Sequence, residues 1–131
     1  MSGESGDEGD IHWEITGSEL HISARPGTDG EIDDFGYWDE PNWKDAKGYP
    51  WATTVYIHEG VTRIGDEAFW CHYYIQRVYL PSSLKSIGDH AFTGAKNLMD
   101  IIFLGTTYGI EEIGSGAFDL PNSGSIPERN Y

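Results

Sequence analysis

The stretch Val78-Tyr79-Leu80-Pro81-Ser82-Ser83-Leu84-Lys85-Ser86-Ile87-Gly88-Asp89-His90-Ala91-Phe92 decides the architecture, because its apolar frame is written three times. Val55-Tyr56-Ile57, Val61, Ile64-Gly65-Asp66 and Ala68-Phe69 precede it at a constant step of 23 residues. Ile101-Ile102-Phe103 follows at the same step. Ile110, Ile113-Gly114 and Ala117-Phe118 are displaced by 26, so about three residues are inserted near Gly105 to Gly109. A unit of this length cannot bury its apolar face alone, and copies stacked on one another build a continuous core.

Strand alternation assigns the side chains. Val55, Val78 and Ile101 point inward as one column, with Ile57, Leu80 and Phe103 as a second. The residues between them, Tyr56, Tyr79 and Ile102, then point outward. Pro81-Ser82-Ser83 is a turn signal. Beyond it Val61/Leu84/Ile110 and Ile64/Ile87/Ile113 return to the interior. Gly65, Gly88 and Gly114 recur beside these isoleucines, which calls for a positive φ or a close approach at that position. Phe69, Phe92 and Phe118 form a stacked aromatic column. The stretches 66–70 and 89–93 are short enough for one helical or 3₁₀ turn each.

Outside the repeats, residues 1–10 are rich in Gly, Ser and acids and read as a disordered tail. A β-hairpin follows, with Trp13, Ile15, Leu20 and Ile22 on its buried face and Thr16-Gly17-Ser18 at its turn. Arg25 to Trp51 has no period. Its aromatics Phe35, Tyr37, Trp38, Trp43, Tyr49 and Trp51 are expected to pin it across the open end of the first repeat. The organisation is therefore a tail (1–10), a hairpin with an aromatic-rich cap (11–51) and three repeats with a C-terminal tail (52–131). The repeats divide at 55–77, 78–100 and 101–126, and the match decays after Phe118.

A chain of 131 residues is one domain of ordinary size. Its formal charge is −14. Residues 1–40 hold twelve acids and one base, so the excess belongs to the N-terminal third. That field argues against nucleic acid, which needs a basic surface, and favours cationic partners. No stretch approaches the ~18 apolar residues of a membrane span, so no membrane insertion is expected. Cys71 is the single cysteine, so no internal disulfide can form. Met1 to Glu8 lacks the basic and apolar regions of a secretory leader.

The outward column Tyr56, Tyr79, Ile102 is the leading functional candidate, since rigid exposed aromatics supply contact area. Thr54, Arg77 and Asp100 lie in the next outward column, where Arg77 and Asp100 can pair across strands. The alternative is that the tyrosines only stabilise the ladder by cross-strand packing. In the acidic loop, Asp29, Glu31, Asp33 and Glu40 fall at the first, third, fifth and twelfth positions of an EF-hand loop. Asp34 stands where that loop needs Gly, and Gly36 where it needs an apolar residue. Both departures argue against an EF-hand, while an irregular calcium site stays open. The histidines His12, His21, His58, His72 and His90 read as ordinary surface residues, and two of them without a third ligand make a poor zinc site. Cys71-His72 has no orienting third group. No catalytic constellation, metal site or cofactor motif is present in the pattern, and the chain is expected not to be an enzyme.

Two motifs carry a family resemblance. Glu59 to Phe69 reads E-G-V-T-x-I-G-D-x-A-F, and Val78 to Phe92 reads V-x-L-P-x-S-L-K-x-I-G-x-x-A-F. These resemble the BspA-like leucine-rich repeats, with the strand core L-x-x-L-x-L at Ile75-Val78-Leu80 and Leu98-Ile101-Phe103. The sequence departs from the family where Gly-Cys often follows Phe: here stand Cys71-His72, Gly94-Ala95 and Leu120-Pro121. The resemblance implies a right-handed, mainly β leucine-rich repeat solenoid of short parallel strands, with the hairpin as N-terminal cap. It also implies a bacterial cell-surface or secreted location and a non-enzymatic role in adhesion to a host or extracellular protein ligand. A structural unit whose last strand edge pairs with another chain is the alternative.

Overall fold

In the computed structural model the described residues are 5–36, 41–45, 52–105 and 109–118. Tyr37, Trp38, Glu40, Tyr49, Trp51 and the segment after Phe118 lie outside them. Strands dominate. β1 (Ser5–Glu8), β2 (Ile11–Thr16), β3 (Glu19–Ala24), β4 (Thr54–Ile57), β6 (Arg77–Leu80) and β8 (Asp100–Phe103) form one sheet in the order β1-β2-β3-β4-β6-β8. β5 (Arg63–Ile64), β7 (Ser86–Ile87) and β9 (Glu112–Ile113) form a second.

The 23-residue step becomes register. Val55 pairs with Val78 and Val78 with Ile101 in parallel ladders, and Leu80 pairs with Phe103. Backbone bonds repeat the step on the far side of the chain: Phe69 N donates to Ala91 O and Phe92 N to Ala117 O, both at 2.8 Å. The column of rings is present, with Phe69 and Phe92 parallel at 5.0 Å and Phe92 and Phe118 at 5.3 Å. Val61, Ile64, Leu84 and Ile87 are buried around it. Ile113 departs from expectation: it is 41% exposed, because no described repeat follows to cover it.

Gly65, Gly88 and Gly114 resolve to close approach rather than positive φ. A Cβ at Gly88 would collide with the Asp66 backbone and carboxylate, and one at Gly114 with those of Asp89. That proximity serves a polar ladder. Asp34 Oδ1 accepts the Asp66 amide (2.7 Å), Asp66 Oδ1 the Asp89 amide (2.8 Å), and Asp89 Oδ1 the Ser115 amide (2.8 Å). Each carboxylate thus satisfies a backbone donor of the next repeat, where an unpaired amide would be costly. The segments 66–70 and 89–93 are turns rather than helical, with positive φ at Glu67 and His90, and at Cys71 just beyond the first.

Two expectations are corrected. Residues 5–8 are not disordered: β1 pairs antiparallel with β2, from Ser5↔Glu14 to Glu8↔Ile11. Composition misled because the brace is tertiary. Asn42 donates its amide to Glu8 Oε1 (2.6 Å) and its side chain to Asp7 O (3.1 Å), while the Trp13 indole covers Gly6. His72 is also not a surface residue, being 1% exposed. Trp43, from the single-turn 3₁₀ helix Asn42–Asp45, donates its indole N–H to His72 Nε2 (3.0 Å) and stacks on Phe69 at 5.5 Å. His72 Nδ1 then donates to the Trp70 carbonyl (3.0 Å), which fixes a neutral tautomer. Burial drives its pKa down to about 3.

The hairpin extends the parallel sheet. β3 pairs with β4, with Leu20 opposite Val55 and Ile22 opposite Ile57. Ile32 N donates to Arg63 O (2.9 Å) and Phe35 N to Asp66 O (2.7 Å), so residues 30–36 occupy the place a preceding repeat would take against 62–66. Ile32, Phe35 and Trp43 join the same core as the repeats.

Candidate functional site

Register makes one row across the outward face of the large sheet: Glu14, His21, Tyr56, Tyr79, Ile102. Beside it runs a second row, Thr16, Glu19, Thr54, Arg77, Asp100. All six residues expected from alternation (Thr54, Tyr56, Arg77, Tyr79, Asp100, Ile102) stand on this face. Strands spaced ~4.8 Å apart set the pitch of each row.

Tyr56 and Tyr79 stack at 4.5 Å with planes 4° apart, and the His21 ring lies parallel to Tyr56 at 5.0 Å. Their faces are turned to one another, so the row presents ring edges and phenol oxygens. Desolvation, with the neighbouring Tyr79 second, raises the Tyr56 pKa, and its phenol stays protonated at neutral pH. Arg77 Nε donates to Asp100 Oδ2 at 3.3 Å in an exposed pair, which contributes about 0–1 kcal/mol.

Next to the rings is a chain of polar groups that alternation alone did not bring together. Glu19 Oε1 accepts from His21 Nε2 (2.9 Å), and His21 Nδ1 meets His58 Nε2 at 2.8 Å. The two imidazoles are within 16° of coplanar. A single proton can occupy the line between the two nitrogens. Desolvation, helped by His21, lowers the His58 pKa. His12 donates to Asp7 Oδ1 at 2.8 Å, which holds the Asp7 carboxyl low. An open groove of about 430 Å³ runs between His12, Glu14, Thr16, His21, Ser23 and His58. Hairpin alternation already places His12, Glu14 and His21 outward. What was missing is the β3–β4 pairing, because Leu20 and Val55 stand 35 apart and share no repeat step.

The acidic loop has a different use. Asp34 accepts from the Asp66 amide and from Arg63 Nη1 (2.7 Å), bonds that lower its pKa in that order of weight. Asp10 accepts the Glu31 amide (3.3 Å). Among the described residues no three His, Cys, Asp or Glu side chains are grouped to hold a metal ion, and Glu40 lies outside them. No described helix is long and apolar enough to cross a membrane.

Strands repeating at 23 residues, a phenylalanine column and a parallel sheet define a leucine-rich repeat fold, mainly strand with almost no helix. Residues 51–127 match the family model described as BspA type leucine rich repeat region (6 copies), and the chain belongs to that family. Among solved structures it is similar to a leucine-rich repeat protein from Eubacterium ventriosum, at 24% identity and a TM-score of 0.71, covering 87% of this chain and 28% of that one. It is also similar to a leucine rich cell surface protein from Faecalibacterium prausnitzii, at 22% identity and a TM-score of 0.50, covering 98% of this chain and 38% of that one. The chain thus spans only 28% and 38% of the length of these two relatives. No curated protein matches it in sequence.

Proposed function

We propose that this chain is a non-enzymatic protein-binding module of a bacterial cell-surface or secreted protein, and that the outward face of the large sheet engages the partner. The observation that carries it is the unbroken row His21-Tyr56-Tyr79-Ile102 across the parallel strands β3, β4, β6 and β8. Rigid rings supply contact area at low entropy cost, and tyrosine is enriched where binding energy concentrates. Membership in a repeat family supports an interaction role, and the cell-surface neighbour supports the location. On this reading the hairpin and the described residues 25–36 and 41–45 cap the first repeat of a right-handed solenoid. The engagement of the Asp34 carboxylate by Arg63 and the Asp66 amide favours the sheet face over calcium-dependent binding.

The test is capture of a panel of purified extracellular and host-surface proteins by the wild-type chain and by Tyr56→Ala/Tyr79→Ala. The double variant is expected to lose about tenfold or more in affinity for the captured protein. Equal binding by both removes the sheet face. A second reading, self-assembly, is favoured by β8 ending the sheet among the described residues, with Met99 and Leu104 beside it 62% and 61% exposed. Light scattering at high concentration separates the two, since a strict monomer excludes assembly.

A further inference from the structure

Resting on the sheet-face reading, we propose that this face takes an arginine-bearing, positively charged segment of the partner protein, and that the His21–His58 pair makes the contact weaken in acid. Charge complementarity carries the first half. The face holds Asp7, Glu14, Glu19 and Asp100 against two guanidinium groups, both already engaged: Arg77 by Asp100 and Arg25 by Asp7 at 3.7 Å. The Glu14 side chain is exposed, its carboxylate has no hydrogen bond or ion pair among the described residues, and it stands directly opposite His21 beside the groove. A guanidinium there meets a carboxylate in the bidentate geometry it favours. Its methylenes lie along the edges of Tyr56 and Tyr79, and the phenol oxygens accept further N–H donors.

The second half follows from the in-line imidazoles. With His21 donating to Glu19, one proton lies between His21 Nδ1 and His58 Nε2. The next proton taken up goes to the outer nitrogen of His58 and leaves the bridge in place, so the joined pair becomes cationic. That step adds positive charge where the cation sits. The groups facing the pair are His12 and Glu14 from β2, Glu19 from β3 itself and Tyr56 from β4, with Asp7 behind His12 and Tyr79 and Arg77 beyond. None of them supplies a compensating negative charge that appears on acidification.

The experiment is fluorescence anisotropy with a labelled peptide of alternating Arg and Gly, at about 0.15 M salt to screen the long-range field. Its citrulline counterpart is the uncharged control. The arginine peptide is expected to bind at least about tenfold tighter than the citrulline peptide. Glu14→Gln/Glu19→Gln is expected to weaken it about tenfold, against less than about twofold for Glu111→Gln/Glu112→Gln. The latter pair removes the same charge near the other sheet. Affinity is expected to fall at least about threefold from about pH 7.5 to 5.5 in the wild type and by a smaller factor in His58→Gln. Equal losses in the two acid variants, equal binding of the citrulline peptide, or a flat wild-type pH profile overturns the proposal. A captured protein that needs Tyr56 and Tyr79 but ignores Glu14→Gln/Glu19→Gln overturns the cation chemistry and leaves the face standing. Arginine-peptide binding that survives Tyr56→Ala/Tyr79→Ala overturns both. Circular dichroism confirms that each variant is folded.

Discussion

Replacing Phe92 with alanine removes the ring that the whole column leans on. The side chain is fully buried, with Phe69 at 5.0 Å on one side and Phe118 at 5.3 Å on the other. A buried Phe→Ala change costs about 3–5 kcal/mol through lost transfer energy and the cavity left behind. Two near-parallel ring contacts each add about 0.5–1.5 kcal/mol beyond burial, which places this site at the upper end. Phe69 is flanked in the same way, by Phe92 and by Trp43. Phe118 has one described ring neighbour and is 8% exposed, so its truncation should cost about 1–2 kcal/mol less. Urea and thermal unfolding of the three single variants measure the series. Phe92→Ala is expected to lower the melting temperature by roughly 10–20 °C. A Phe92→Ala variant that melts within a few degrees of wild type, or a Phe118→Ala variant that costs as much as Phe92→Ala, would refute the stacked-column reasoning.

Other perturbations test separate parts of the structure. Gly88→Ala drives a Cβ into the Asp66 backbone and carboxylate and should destabilise by about 1–3 kcal/mol in urea titrations, whereas Gly17→Ala, with no atom nearby, should suffer only the strain of its positive φ. Asp66→Ala leaves the Asp89 amide without its acceptor and removes a contact to Arg63; a loss of about 1–2 kcal/mol and faster amide exchange at Asp89 are expected. His72 is neutral in the fold at a pKa of about 3 but gains a proton near 6.5 once unfolded. The unfolded state therefore binds more protons below 6.5, and stability is full above that pH and falls toward pH 3. The loss between pH 7 and 5 is about 2 kcal/mol, read as the difference between wild type and His72→Gln in denaturant series at both pH values. Equal slopes in the two proteins would show that the buried imidazole is not the source.

The repeats were legible because stacking turns a sequence step into a spatial one. Val78 lies beside Val55 and Ile101 because they share the 23-residue step, and Phe92 lies between Phe69 and Phe118 although the last interval is 26. Alternation also put Tyr56, Tyr79 and Ile102 on one side. The hairpin's place was not legible. β3 joins the parallel sheet at an offset the repeats do not use, so the alignment of His21 with Tyr56 and the meeting of His21 with His58 leave no periodic trace. His72 was read as exposed because its partners, Trp43 and the Trp70 carbonyl, come from a segment without a period and from a turn. The strand at Ser5–Glu8 was missed because Asn42 and Trp13 hold it, and neither is implied by a Gly- and acid-rich composition. The recurrent aspartates Asp66 and Asp89 were visible in the motif, but their role in capping the next repeat needed the close approach at Gly88 and Gly114.

The repeat core and the tyrosine row of the sheet face depend on equivalent residues of successive repeats lying side by side. Ring-to-ring nuclear Overhauser effects in a sample labelled at Phe and Tyr measure this directly. Cross-peaks joining Phe69 to Phe92, Phe92 to Phe118 and Tyr56 to Tyr79 are expected, with none between the phenylalanine and tyrosine sets. A spectrum in which Tyr56 and Tyr79 share no cross-peak, or in which Phe92 contacts neither of the other two phenylalanines, contradicts the register and with it the recognition face.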